Sequence, residues 1–122
     1  IGSREAMRRT VETSALYRAW PGKVATDMRL IKKAIEIKDF DLLGAVAESN
    51  ALSMHATMMA AQPPVLYWLP ESITTMQQVW RCREEGLSVY LTMDAGPNIK
   101  LLFLAKDEND VLSTFPGLQI AG

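Results

Sequence analysis

The sequence has too few cysteines and histidines for a disulfide framework or a zinc cluster. It contains one cysteine, Cys82, and one histidine, His55. A single cysteine cannot form an internal disulfide, so a reducing, cytoplasmic setting is expected. One cysteine and one histidine also argue against a zinc cluster, and no metal ligands are predicted. No apolar run approaches the ~20 residues of a membrane-spanning helix, so no membrane segment is predicted.

The sequence also lacks an excess of charge of either sign. Thirteen Lys and Arg residues face fourteen Asp and Glu residues. That balance predicts no nucleic-acid partner, because no basic surface would attract phosphates. Neither G-x-x-x-x-G-K-S/T nor G-x-G-x-x-G occurs, so no phosphate-binding loop is predicted. The chain begins with Ile1 rather than methionine, and we expect a gene product that is longer at the N-terminus.

The residues that are present suit one globular domain. Of 122 residues, 48% are hydrophobic and 22% are charged, which is typical of soluble proteins. A chain of this length can bury one core. The expected domain therefore comprises residues 1–122.

A short helix is predicted at the N-terminus. Ser3 is its candidate N-cap, because a serine hydroxyl can accept a hydrogen bond from a free amide of the first turn. The helical path is expected to continue through "ALYRAW" until Pro21 and Gly22 break or kink it.

Two longer helices are predicted next. The first starts near Lys23 and places Asp27 on its wetted side. The second follows "KDFD", where Asp39 or Asp41 can act as the cap, and it ends before Pro63. The apolar stripe of the first of these helices is formed by Val24, Met28, Ile31 and Ile35.

The next stretch predicts a short apolar segment and a further helix. Residues 65–69, "VLYWL", suit either a buried strand or an ordered loop. A helix is expected to begin at Pro70, with Gly86 as its C-terminal cap.

Strands are expected near the C-terminus. Residues 87–93 alternate in polarity, whereas residues 99–105 are nearly all apolar, as in a strand covered on both faces. A brief amphipathic helix is expected at 106–115, and a final strand or tail at 118–122. The predicted fold class is α+β, with helices packed on a small antiparallel sheet.

Asp94 stands where the first predicted strand ends and a turn containing Gly96 and Pro97 begins. Aspartate is common in turns because its carboxylate can bond the backbone two residues further on. An alternative is a catalytic carboxylate held at the edge of a sheet. The local residues leave both interpretations open.

A second candidate site lies at the start of the first helix. The free amides and the helix dipole at Ser3 and Arg4 favour an anion, and the planar guanidinium of Arg4 can bind phosphate oxygens in pairs. An arginine in a first turn is, however, often only solvated. His55 and Cys82 are expected to be packed helix residues. The residues alone therefore indicate an α+β domain with two candidate sites.

Three stretches together resemble the C-terminal part of the diphosphomevalonate decarboxylases, a family of the GHMP kinase superfamily. They are "SREAMRRTVETS", "KDFDLLGAVAESNALSMHATMMAAQPP" and "VWRCREEGLSVYLTMDAGPNIKLL", in matching order and spacing across essentially the whole chain. The resemblance implies the fold of a GHMP kinase C-terminal domain. Its most specific motif is Met93-Asp94-Ala95-Gly96-Pro97-Asn98, supported by Glu48-Ser49-Asn50 and Met54-His55-Ala56-Thr57.

The resemblance also implies a reaction and a site. The family converts mevalonate 5-diphosphate and ATP into isopentenyl diphosphate, ADP, phosphate and carbon dioxide. It implies that Asp94 is the catalytic residue, facing the tertiary 3-hydroxyl, and that Ser3, Arg4 and Met7 bind the substrate, with the arginine on phosphate. Family members usually have glycine where this chain has Ala6, and the extra methyl group could alter the fit of the substrate.

The resemblance further implies partners that this chain does not supply. ATP and Mg²⁺ are expected to bind mainly to an N-terminal domain, which nothing in this sequence matches. We therefore expect the chain to be inactive alone and the full-length enzyme to be a homodimer. Two alternatives stay open: a related mevalonate kinase or phosphomevalonate decarboxylase, and a non-catalytic binding or dimerisation module with the same fold.

Overall fold

The computed structural model describes residues 1–120, which form five α-helices and one two-stranded antiparallel sheet. This architecture confirms the predicted α+β class. None of the helices in this part of the chain is both long and apolar enough to cross a membrane. The elements are α1 Ser3–Thr13, α2 Trp20–Ile37, α3 Phe40–Met59, α4 Pro70–Glu84, β1 Val89–Met93, β2 Ile99–Phe103 and α5 Glu108–Thr114.

The first two helices begin and end differently from the prediction. Gly2 is the N-cap of α1, no side chain bonds the cap, and Ser3 is the first helical residue, so the prediction of Ser3 as N-cap is wrong. Pro21 does not break a helix but lies in the first turn of α2. A proline is compatible with that position because the first-turn amides have no partner within the helix.

The buried side of α2 carries a charge that the sequence pattern assigned to solvent. Asp27 is only 3% exposed. It accepts hydrogen bonds from Lys23 Nζ at 3.1 Å and from Asn50 Nδ2 at 3.0 Å. Met28 and Ile35 of the predicted apolar stripe are instead exposed. The stripe is therefore partly wrong, because Asp27 finds its partners within α2 and on α3 and can be buried.

Helix α3 is the centre of the fold and contacts α1, α2 and β1. Asp39 caps it by accepting a bond from the Leu42 amide at 3.0 Å, which selects one of the two predicted aspartates. Gly44 lies directly against the ring of Tyr90. A Cβ atom at position 44 would lie 2.8 Å from Tyr90 Cε2 and closer still to Cγ and Cδ2. Glycine is therefore what lets α3 and β1 approach here.

Helix α4 begins at Pro70 as predicted, and its C-cap is Glu85, one residue before the predicted Gly86. At its start, the Leu69 amide donates to Ser72 Oγ at 3.0 Å. Gly86 follows its C-terminus with φ of +100°, a conformation that favours glycine. The segment before α4, residues 65–69, contains no strand, which leaves the loop alternative.

The sheet is a hairpin that covers the main core with one face. Strand β1 pairs with β2 from Val89 opposite Phe103 to Met93 opposite Ile99, and the buried and half-buried residues of β1 alternate as predicted. Strand β2 is only partly buried, so the expectation of a strand covered on both faces is wrong. Residues 118–120 form no strand, and 121–122 lie outside the described residues. The core below the hairpin contains Met76, Val79, Cys82, Val89, Leu91, Met93, Val111 and Phe115.

Candidate functional site

Asp94 is the first residue after β1 and has an exposed carboxylate. Its side chain is 82% exposed, and Lys100 Nζ lies 2.8 Å from Oδ2. The register explains this pair. Lys100 is opposite Thr92, so it shares a sheet face with Thr92 and with Asp94 two residues later. The ion pair leaves Oδ1 available to another group.

His55 holds the backbone of Asp94 from below. Its Nε2 atom lies 2.9 Å from the Asp94 carbonyl oxygen, and the residue is 1% exposed. Burial lowers the pKa of His55, with the backbone bond opposing the shift, so the ring is neutral near pH 7. A carbonyl oxygen only accepts, so Nε2 carries the hydrogen and donates it. The prediction of a packed, hydrogen-bonded histidine is confirmed.

The three predicted substrate-binding residues share the exposed side of α1. Ser3, Arg4 and Met7 are all exposed, at the spacing of one helix face. Ala6 and Thr10, on the neighbouring side of the helix, are buried. The methyl group of Ala6 therefore points into the protein, and Ala6 itself is 0% exposed.

Arg4 differs from the neighbouring arginine on the same face. Within residues 1–120 Arg4 makes no ion pair. Arg8, one turn later, is held by Glu5 and Glu12 at 2.5 and 2.8 Å, and its pKa is raised by the hydrogen bond from its guanidinium to Glu5. The guanidinium of Arg4, unlike that of Arg8, is thus not engaged by a carboxylate of the described residues.

The fold brings the start of α1 and the Asp94 turn to one side of the domain. Ala6 belongs to a buried cluster against which Ala95, the neighbour of Asp94, also packs. Tyr67 links the two segments a second time, because its hydroxyl donates to the Ile1 carbonyl at 3.2 Å while its ring meets His55 edge-on. Both candidate sites therefore lie on segments that pack around one buried cluster.

Glu48 supports the strand that leads to Asp94, a role that nothing in the sequence indicated beyond the place of Glu48 in a motif. It is 7% exposed. Its carboxylate accepts two bonds from Arg83, at 2.7 and 2.9 Å, one from Trp80 Nε1 at 3.1 Å and one from the Leu91 amide at 3.0 Å. A buried carboxylate with four donors joins α3, α4 and β1.

Sequence reasoning missed Lys100, although a signal was present. Pairing the two predicted strands through a short Gly-Pro turn places Lys100 opposite Thr92, which is the register observed. The bond from His55 to the Asp94 carbonyl had no such signal, because 39 residues separate the partners.

The one cysteine has the surroundings of a core residue. Cys82 is buried in α4, and burial raises the pKa of its thiol, so it is a poor nucleophile. Across residues 1–120, no three His, Cys, Asp or Glu side chains are grouped so as to hold a metal ion.

Comparison with known proteins gives consistent relatives. The model of the mevalonate 5-diphosphate decarboxylase C-terminal domain matches residues 1–118. Diphosphomevalonate decarboxylase of Aspergillus fumigatus is 30% identical over 122 residues, which is 97% of this chain and 30% of the fungal protein.

Solved structures agree in fold as well as in sequence. Mevalonate diphosphate decarboxylase of Enterococcus faecalis, in a study of ATP binding mediated by mevalonate diphosphate, superposes with a TM-score of 0.90 at 42% identity, over 93% of this chain and 35% of that one. A complex of MDDEF with MVAPP, AMPPCP and magnesium gives 0.91, also at 42% identity, over 93% and 35%. The chain thus spans about a third of the length of these relatives.

Proposed function

We propose a function from one premise, that the chain belongs to the mevalonate 5-diphosphate decarboxylase family and forms its C-terminal domain. As part of the full-length enzyme, this domain takes part in the ATP-dependent conversion of mevalonate 5-diphosphate into isopentenyl diphosphate, carbon dioxide, ADP and phosphate. The observation that carries the proposal is the placement of Asp94. An exposed carboxylate is tied to the fold through its own backbone, and its neighbour Ala95 packs against the same buried cluster as Ala6 of α1.

Asp94 is the proposed catalytic residue. Phosphoryl transfer passes through a loose transition state, so positioning of the attacking oxygen matters more than early removal of its proton. The carboxylate accepts a hydrogen bond from the tertiary 3-hydroxyl and takes the proton late, as charge moves onto the attacking oxygen. Lys100 pairs with Oδ2, which leaves Oδ1 for the hydroxyl.

The second half of the reaction needs no further base from this domain. Loss of the 3-phosphate builds positive charge on the tertiary carbon, and the electron pair released by the departing carbon dioxide forms the alkene. The proton that Asp94 has taken passes to the departing phosphate, and the carboxylate restored in this way lowers the energy of the cation developing on the nearby carbon. Asp94 would therefore serve both steps from one position.

Ser3, Arg4 and Met7 form the proposed substrate-binding face. The guanidinium of Arg4 binds phosphate oxygens of the substrate, because it is exposed and makes no ion pair within residues 1–120. Ser3 lies in the first turn of α1, where free amides and the hydroxyl donate to an anion. The departure at Ala6 adds no exposed methyl group to this face, since Ala6 is 0% exposed and packs in a buried cluster with Met58 and Val65.

The rest of the site is proposed to lie outside this chain. Asp94 is 82% exposed, whereas phosphoryl transfer requires exclusion of water around the reacting groups. ATP and Mg²⁺ are assigned mainly to the remainder of the enzyme, a proposal that the MDDEF complex with MVAPP, AMPPCP and magnesium supports. When bound, they supply the phosphoryl group and neutralise its charge. The 122-residue chain alone should therefore not turn over ATP.

The family resemblance also supports a cytoplasmic homodimer as the state of the full-length enzyme. A single cysteine suits a reducing compartment. Sedimentation of the full-length enzyme at two concentrations tests the dimer, and a monomer at both would contradict it.

Asp94→Asn in the full-length enzyme tests the proposed role. The amide keeps the shape of the carboxylate but cannot take the proton, so turnover should fall about 10²–10⁴-fold while both substrates still bind. Asp110→Asn, an exposed aspartate at the start of α5, is the matched control and should keep normal turnover. Normal turnover in Asp94→Asn would rule the assignment out.

The choice of substrate separates the proposal from its alternatives. The full-length enzyme is given mevalonate 5-phosphate and mevalonate 5-diphosphate in separate assays, with release of carbon dioxide as the readout. Carbon dioxide from the diphosphate supports the proposal. Release from the monophosphate alone identifies a phosphomevalonate decarboxylase, phosphorylation without carbon dioxide identifies a kinase, and no reaction identifies a non-catalytic module.

A further inference from the structure

We infer that His55 is a positioning residue for the reaction, because its side chain holds the peptide group that aims the Asp94 carboxylate. The inference rests on the proposed function, since it acts through Asp94. His55 does not touch the substrate in this role. It acts through one hydrogen bond, from Nε2 to the Asp94 carbonyl oxygen at 2.9 Å.

The bond matters because little else restrains Asp94. Strand β1 ends at Met93 and pairing with β2 ends there too. The following residues form a turn in which the Gly96 amide also donates to the Asp94 carbonyl, at 2.8 Å. The one partner of the Asp94 carboxylate among residues 1–120 is Lys100, and that pair is exposed, so it is only weakly stabilising. A shift of the backbone at Asp94 would therefore displace its side chain.

His55 itself is held in place by the core, so its hydrogen bond can restrain the backbone of Asp94. It is 1% exposed and lies on α3 between two aromatic rings. Tyr67 meets it edge-on with centroids 6.2 Å apart, and Trp68 lies 5.9 Å away at a tilt of 36°. The neutral ring keeps the hydrogen on Nε2 for as long as Nε2 faces a carbonyl oxygen.

Glu48 provides a second anchor on the same helix and strand. It accepts a bond from the Leu91 amide at 3.0 Å. Glu48 and His55 are seven residues apart on α3, about 10.5 Å along a helix. Leu91 and Asp94 are three residues apart, about 10 Å along an extended chain. The two spacings match, so α3 holds β1 and the residue after it at two points.

Loss of Glu48 and loss of His55 would have different consequences. Glu48 also bonds Arg83 and Trp80, so its loss would disturb α4 and the core as well as the strand. His55 makes one polar contact within residues 1–120, and that contact is with Asp94. A change at His55 is therefore the more selective perturbation of the carboxylate.

A pair of amide substitutions in the full-length enzyme tests the inference. The side-chain nitrogen of glutamine is as many bonds from the backbone as His Nε2, so His55→Gln can still donate to the Asp94 carbonyl. Asparagine is one carbon shorter and cannot reach. We expect His55→Asn to lower kcat about 10–100-fold, as a displaced catalytic group does, with KM for mevalonate 5-diphosphate changed less than threefold. His55→Gln should recover most of kcat. If the asparagine variant does not fold, His55→Leu takes its place.

A control and a double variant exclude a merely structural effect. Thr57→Val removes a different buried polar group of α3, a hydroxyl whose hydrogen bond stays within the helix. This control should leave kcat unchanged. In the Asp94→Asn background, His55→Asn should change the residual rate less than threefold, because the group it positions is already disabled.

The outcomes separate this inference from the proposed function. Equal loss of kcat in both amide variants, or a His55 effect that persists in full when Asp94 is asparagine, would overturn the positioning role while leaving Asp94 catalytic. Normal turnover in Asp94→Asn alone would overturn both. A loss restored by glutamine and absent in the Asp94→Asn background supports both.

Discussion

Gly44→Ala places a methyl group at the contact between α3 and β1, and two opposing effects decide its result. The middle of a helix favours alanine over glycine by about 0.5–1 kcal/mol. The new Cβ would, however, overlap the ring of Tyr90, lying 2.8 Å from Cε2 and closer to two other ring atoms. Overpacking of this kind typically costs about 1–3 kcal/mol.

The surroundings of Tyr90 decide which effect is larger. Its ring is held by Phe40 edge-on, by the guanidinium of Arg83 at 4.6 Å and by a bond from its hydroxyl to Asp41 at 3.0 Å. The ring cannot turn aside without losing these contacts. We therefore expect Gly44→Ala to lower the free energy of unfolding by about 1–2 kcal/mol, once the helix preference has offset part of the clash.

Urea unfolding of variants of equal length, followed by circular dichroism, measures this free energy. In a Tyr90→Ala background the clash is gone, so Gly44→Ala should become stabilising by about 0.5–1 kcal/mol. Gly22→Ala in α2, where a Cβ meets nothing within 4 Å, is the matched control and should be neutral or stabilising. A stabilising Gly44→Ala in the presence of Tyr90 would show that α3 and β1 are not in this contact.

Two further predictions concern binding and pH. Arg4→Ala in the full-length enzyme should weaken substrate binding by about 1.5–3 kcal/mol, the size of one charged hydrogen bond, and so raise KM for mevalonate 5-diphosphate about 10- to 100-fold. Arg8→Ala is the control and should leave KM unchanged. An unchanged KM with a large loss of kcat in Arg4→Ala would contradict the binding role. Burial lowers the pKa of His55 from its ordinary 6.5, so as the pH falls the unfolded chain takes up a proton before the folded chain does. The free energy of unfolding should therefore be unaffected by His55 above pH 6.5 and should decrease below it, by at most about 1.4 kcal/mol per pH unit. Urea unfolding at pH 5, 6 and 7 measures this slope, and His55→Gln should remove its contribution; an equal slope in both proteins would contradict it.

Local features of the sequence predicted most of the secondary structure. Pro70 and Gly86 marked the two ends of α4, because each residue suits one helix end through its own backbone preferences. The alternation along β1 and the Gly-Pro turn predicted the hairpin and the position of Asp94 at a strand end. The resemblance to decarboxylases then suggested the proposed roles of Asp94 and Arg4, which composition alone left open.

Predictions failed where a residue's partner lies on another element. Asp27 looks like a surface residue in the pattern of α2, yet it is buried because Asn50 of α3 and Lys23 both bond it. Met28 and Ile35 look like core residues, yet no element in the described part of the chain covers them. Periodicity reports which side of a helix is apolar, not what that side meets.

The sequence by itself determined that an acid ends a strand, that an arginine begins a helix and that the chain shares the motifs of a decarboxylase family. These properties depend on neighbours in the chain and on their order. Only the tertiary structure decided that the Asp94 turn and the start of α1 pack around one buried cluster, and that His55 and Glu48 of α3 hold the strand end at two points. Hydrogen bonds between residues 39 and 43 positions apart depend on how whole elements pack, and no local pattern encodes that packing.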